Sequence, residues 1–130
     1  MTYHLTLPWP PSVNHYYGMR RGGGRYLAAR GLEYREAVTK VLDLLGRPRV
    51  SGDIFVSIFA SPPDRRKRDL DNIRKCVYDA LSDRVVKGKV THKGIMADDC
   101  QIKRDAAEML PYAKGEEGSL IVTVSEIKNG

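Results

Sequence analysis

The sequence predicts an α+β fold, a mixed β-sheet with two main helices packed on it. Three observations lead there. Apolar residues alternate in a short stretch near the start and in longer stretches later; two other stretches carry them at helical spacing; and the two kinds are interleaved as strand, hairpin, helix, strand, helix, strand, strand. At 130 residues the chain has the size of one domain with one core, so residues 1–130 are read as a single domain. A hydrophobic share of 42% and a charged share of 29% exclude a disordered or fibrous chain.

Taken in order, Tyr3, Leu5 and Leu7 alternate with His4 and Thr6 as a half-buried strand, which Pro8-Trp9-Pro10-Pro11 ends because proline cannot donate to a ladder. His15-Tyr16-Tyr17 and Arg25-Tyr26-Leu27 flank Gly22-Gly23-Gly24 and predict a hairpin with a flexible tip bearing Arg20, Arg21 and Arg25. That tip reads equally as a solvated loop or as an arm on a DNA backbone. From about Arg30 to Leu45 the positions Tyr34, Val38, Val41 and Leu45 recur at helical spacing, and Gly46 with Pro48 supplies a stop. Between Asp53 and Ala60 both alternating sets are largely apolar, as in a strand central to a sheet.

A second helix follows, with Leu70, Ile73, Val77 and Leu81 as its buried stripe. Residues 82–96 read as a surface excursion with a small hairpin around Lys87-Gly88. The last strands, Gln101 to Met109 and Ser119 to Ile127, are expected to pair antiparallel across the loop 111–118.

The formal net charge of +6 favours a polyanionic partner without specifying which one. Cys76 and Cys100 have no metal-ligand spacing and His4, His15 and His92 are scattered, so no zinc site is read and the thiols are expected to be reduced, as in a cytoplasm. No apolar run approaches the ~20 residues needed to cross a bilayer. The expected localisation is cytoplasmic, with no membrane partner.

One stretch concentrates the chemistry. Arg65-Arg66-Lys67-Arg68 runs straight into Asp69-Leu70-Asp71, where a central strand hands over to a helix. Phosphate and a divalent cation together would satisfy such a mixture. Each acid also has a plain structural reading: Asp69 stands where an N-cap belongs, and Asp71 lies one turn from Lys75, a surface pair worth ~0.3–0.5 kcal/mol. A second acidic pair, Asp98-Asp99, opens a later strand. A simple parallel crossover puts the start of that strand at the opposite edge from the end of the earlier one, which does not set Asp99 beside Asp71.

These residues resemble a known family. The run Arg65 to Lys75, continued by Tyr78-Asp79-Ala80-Leu81, is similar to the signature of the RusA family of Holliday junction resolvases. Leu7-Pro8-Trp9-Pro10-Pro11-Ser12, Asn14, Tyr16-Tyr17, Tyr34-Arg35 and Asp98-Asp99 extend the likeness over most of the chain. It implies a homodimeric, Mg²⁺-dependent endonuclease that nicks opposing strands of a four-way DNA junction. By resemblance the metal ligands would be Asp69, Asp71 and Asp99, which converge in the family, with Lys75 as the essential lysine. Arg65, Arg66, Lys67 and Arg68 would grip DNA, with Asn14, Arg20, Arg21 and Arg25 as weaker candidates. The segment 82–96 is longer than the family pattern. Two other readings compete: a nuclease of broader structure selectivity, and a basic nucleic-acid-binding module whose acids only cap a helix.

Overall fold

A computed structural model describes residues 1–128; the last two residues of the expected 1–130 domain lie outside the described residues. Along the chain come β1 (Thr2–Pro8), α1 (Val13–Tyr16), β2 (Tyr17–Met19), β3 (Arg25–Leu27), α2 (Ala29–Leu44), β4 (Ile54–Ser61), α3 (Leu70–Leu81), β5 (Arg84–Val86), β6 (Lys89–His92), a 3-10 turn at Asp99–Gln101, β7 (Ile102–Met109) and β8 (Ser119–Glu126). The expected α+β class, with a mixed sheet and two long helices, is what forms.

Four strands make the main sheet in the order β1-β8-β4-β7. β8 is antiparallel to both β1 and β4, whereas β4 and β7 run parallel, joined through α3 as a βαβ crossover. The central place read for the strand at 54–60 holds. The expected pairing of the last two strands does not, because β4 lies between them. The 111–118 loop spans β4 rather than closing a hairpin, and in that position the largely apolar β4 is paired on both sides. Adjacency in sequence lost to burial of the most apolar strand.

One sheet face carries the core. Leu5 and Leu7, then Ile54, Val56 and Ile58, then Leu120, Val122 and Val124 are all buried. Tyr34, Val38 and Leu42 of α2 and Ile73, Val77, Ala80 and Leu81 of α3 cover them. The other set of β4, Phe55, Ser57 and Phe59, is not buried, with Phe59 43% exposed. Thus the strand is covered on one face only, despite its two apolar sets.

The first hairpin forms with a shifted boundary. Tyr17–Met19 pairs with Arg25–Leu27, while Val13–Tyr16 coil into α1, whose His15 and Tyr16 amides donate to the Ser12 carbonyl. A buried polar knot ties these parts to α3: the Tyr16 hydroxyl donates to Asp79 Oδ2 at 2.6 Å, and the buried Arg35 donates to the Asp79 carbonyl and faces its carboxylate at 3.3 Å.

Candidate active site and nucleic-acid interface

The site is built around the N-terminus of α3. Asp69 is its N-cap, with extended backbone and a carboxylate that accepts from the Asp71 amide at 3.0 Å, satisfying one of the free donors of the first turn. Asp71 is in that turn, so the helix dipole favours both charges. Its partner is Arg74, one Nη donating to Oδ1 at 2.9 Å, and not Lys75 as the spacing suggested. The reason lies on β7: Arg74 Nε also faces Asp105 at 3.1 Å, and the Tyr78 hydroxyl donates to the same Asp105 at 2.7 Å. Arg74 is therefore drawn to that side. Lys75 instead stands over the Tyr17 ring at 5.9 Å, across from Arg25 at 5.3 Å.

A cleft of about 450 Å³ opens between the proline-rich segment and this helix end, lined by Trp9, Pro11, Ser12, Lys67, Asp69 and Asn72. The basic run forms its rim, and the four cations do not have equal freedom. Arg68 reaches back to Asp64 at 2.7 Å and lies over Trp9 at 5.2 Å, and Arg66 faces Asp64 at 3.8 Å. Hydrogen bonding from Arg68, then from the Arg66 amide, holds the Asp64 carboxyl down at about 2. Arg65 lies over the Tyr112 ring at 5.7 Å. Arg65 and Lys67 are exposed and make no salt bridge to a described carboxylate. Asn14, Arg20 and Arg21 are exposed as well, on α1 and at the tip of the β2–β3 hairpin.

Asp99 lies elsewhere in the chain. It borders a shallow depression with Tyr78, Ile102, Lys103 and Asp105, beside the second half of α3. Asp71 and Tyr78 are seven residues apart, ~10 Å along a helix axis at 1.5 Å per residue. Burial, then hydrogen bonding and repulsion from Asp98, then repulsion from Asp79 raise the Asp99 carboxyl above its ordinary range. The Cys100 amide, donating to Asp98, lowers that neighbour. Asp98 is thus occupied as the cap of the 3-10 turn, which leaves Asp99 as the freer acid of the pair. Among the described residues no three His, Cys, Asp or Glu side chains are near enough to hold one metal ion. Asp69 and Asp71 come together; Asp99 does not join them within the chain.

The donor set at the helix end nevertheless suits a hard cation. Both ligand candidates are exposed carboxylates two residues apart, each with one oxygen committed to the bonds above and one uncommitted. Mg²⁺ needs only one or two carboxylates and fills its octahedron with water and phosphate.

Sequence reasoning missed the aromatic supports of the arginines, Trp9 and Tyr112, and the Arg74–Asp105–Tyr78 network. Neither had a local signal: Trp9 and Tyr112 are far from the basic run in sequence and meet it only in the fold, and the network depends on which strand lies beside α3.

The family described as Endodeoxyribonuclease RusA matches residues 8–125. The crossover junction endodeoxyribonuclease of Enterobacteria phage 82 is 38% identical over 134 aligned positions, with 98% of each chain covered. Those of Shigella sonnei (strain Ss046) and Escherichia coli (strain K12) are each 36% identical over 129 positions, again with 98% of both chains covered. Matched over nearly all of its length, the chain belongs to the RusA family of endodeoxyribonucleases.

Proposed function

We propose that this chain resolves four-way DNA junctions, the activity for which its relatives are named, by metal-assisted hydrolysis of paired phosphodiesters in opposing strands. The observation that carries the reading is the pair of uncommitted carboxylate oxygens on Asp69 and Asp71 beside a cationic rim. Asp69 and Asp71 would hold Mg²⁺, which when bound polarises a phosphodiester and acidifies water.

The chain's own residues supply the rest. Arg65 and Lys67 bind backbone phosphate, since neither is neutralised by an acid among the described residues. Arg66 and Arg68 keep the loop in shape through Asp64. Lys75, one turn beyond Asp71, brings a positive charge to the side of the helix on which negative charge develops.

The separation of Asp99 from Asp71 supports a homodimer in which each site takes Asp99 from the partner chain. Asp71 lies in the first turn of α3 and Asp99 in the 3-10 turn beside its second half, so a two-fold axis passing between them would set the first region of each chain against the second region of the other. Two sites would then face two strands. The reading also makes this a cytoplasmic protein; no helix among the described residues is long and apolar enough to cross a membrane.

Asp71→Asn tests the assignment. It removes a ligand charge while keeping the amide-sized side chain and helix turn, so we expect cleavage of a synthetic four-way junction in Mg²⁺ to be lost and junction binding to be retained or tightened. Cutting at the parental rate would remove Asp71 from the site. A junction left intact by the parental protein with and without Mg²⁺ would favour a plain binding module, and equal cutting of forks would favour broader structure selectivity.

A further inference from the structure

The β5–β6 hairpin has no part in the site described above. Its turn, Lys87 at φ 50° and Gly88 at φ 77°, is the tight two-residue kind that projects a ribbon stiffly. Val85 and Val90 are paired across it, yet they are 59% and 54% exposed. A directly opposed valine pair left in water neither builds the core nor aids solubility.

Its charge is one-sided. Residues 84–93 hold four Lys or Arg and no Asp or Glu, and residues 17–27 of the β2–β3 hairpin hold three and none. Those seven exceed the net charge of the whole chain, +6. The two hairpins flank one cleft of about 250 Å³, with Tyr17, Arg25 and Tyr26 on one side and Arg84 and Val85 on the other. The two acids of its floor are already engaged, Asp79 by Tyr16 and Arg35, and Asp83 by Arg49 at 2.6 and 2.9 Å. Arg25 and Arg84 make no salt bridge to a described carboxylate. A second copy of the same cationic surface would be repelled, whereas a polyanion is attracted.

From this we infer that the β5–β6 hairpin is a second DNA-contacting element that, with the β2–β3 hairpin, clamps a double-stranded arm of the junction. A two-stranded ribbon has the width to enter a DNA groove. Lys87 and Lys89 would meet phosphates, while Val85 and Val90 would lie against sugar and base edges. The inference rests on the junction-resolving reading, because that reading supplies the duplex arm.

The test is the double variant Lys87→Asn with Lys89→Gln. Asn-Gly is the favoured pair for this turn, so the hairpin survives and a loss of binding cannot be blamed on misfolding. In divalent-free buffer, the Kd for a four-way junction should rise roughly ten-fold, and the slope of log Kd against log salt should fall by about 1.8 for two lost phosphate contacts. Single-turnover cleavage by saturating protein should stay within about a factor of two of the parent. Unchanged affinity and salt slope would overturn the clamp. So would a changed slope accompanied by an equal loss of saturated cleavage, which would put the lysines in the cleavage site. The two readings fail separately: Asp71→Asn that still cuts sinks the site assignment, whatever the hairpin variant does.

Discussion

At the scale of single residues, the polar pairs with the firmest geometry are not the ones near the chemistry. Arg49 grips Asp83 with two nitrogens, and the Gly94 amide donates to the same carboxylate at 2.9 Å. Three segments distant in sequence are joined there. Hydrogen bonding from Arg49 holds the Asp83 carboxyl below its ordinary range. Asp83→Ala should therefore cost about 2 kcal/mol at neutral pH, leaving the Gly94 N–H without its acceptor and Arg49 with only the Gly94 carbonyl. A group whose folded pKa is depressed contributes its stability above its unfolded value, near 4, and loses that contribution as pH falls through the folded value. The gap between parent and variant in urea denaturation should be full at pH 7 and shrink below pH ~4; a gap that widens in acid would refute the assignment. Asp69 illustrates the other kind of residue. Its capping role was legible from sequence, because a cap depends only on the next three residues. The partner of Asp71 was not legible, since the choice of Arg74 over Lys75 was made by Asp105, thirty-one residues away.

At the scale of elements, local signals located nearly every helix and strand, and non-local ones decided how they pair. The apolar period placed the first long helix to within a residue at each end and gave the second its buried stripe from Leu70 to Leu81, and Lys87-Gly88 marked the second hairpin. Strand order escaped the same reasoning, because alternation says that a strand is half-buried and not which neighbour it has. The segment after α3 shows how such non-local contacts fix a path. The amides of Ile95 and Met96 donate to the Leu81 carbonyl, and Ser82 bridges Met96 in parallel. A β-carbon on the buried Gly94 would collide with the Leu81 carbonyl oxygen. Because the obstacle is backbone, Gly94→Ala should destabilise the fold by about 1–3 kcal/mol, as overpacking in a tight site does. The same segment carries the chain from the hairpin to Asp99, so junction cleavage should fall along with stability. A thermal midpoint equal to the parent's would show that the 94–96 turn yields without cost.

At the scale of the whole molecule, the question is why one family signature is divided between the two ends of a helix. The parallel β4–α3–β7 crossover makes that division unavoidable: the chain leaves β4 at the end where α3 begins and enters β7 at the end where α3 stops. Sequence reasoning reached this separation from the crossover alone, and the resemblance implied convergence instead. Both hold if convergence happens between chains. A dimer with sites shared in this way makes a prediction that no single-chain site can match. Asp71→Asn and Asp99→Asn homodimers should each be inactive, because each spoils both sites. In a mixed dimer, one site takes both substitutions and the other takes none, so mixing the two inactive proteins, with time for subunits to exchange, should restore nicking of a labelled junction. With one active site per dimer, the restored product should be a single nick rather than the paired nicks of the parent. Were each site contained within one chain, every site in the mixture would carry one substitution and the junction would stay uncut. The complementation experiment thus distinguishes the two architectures by the presence or absence of product.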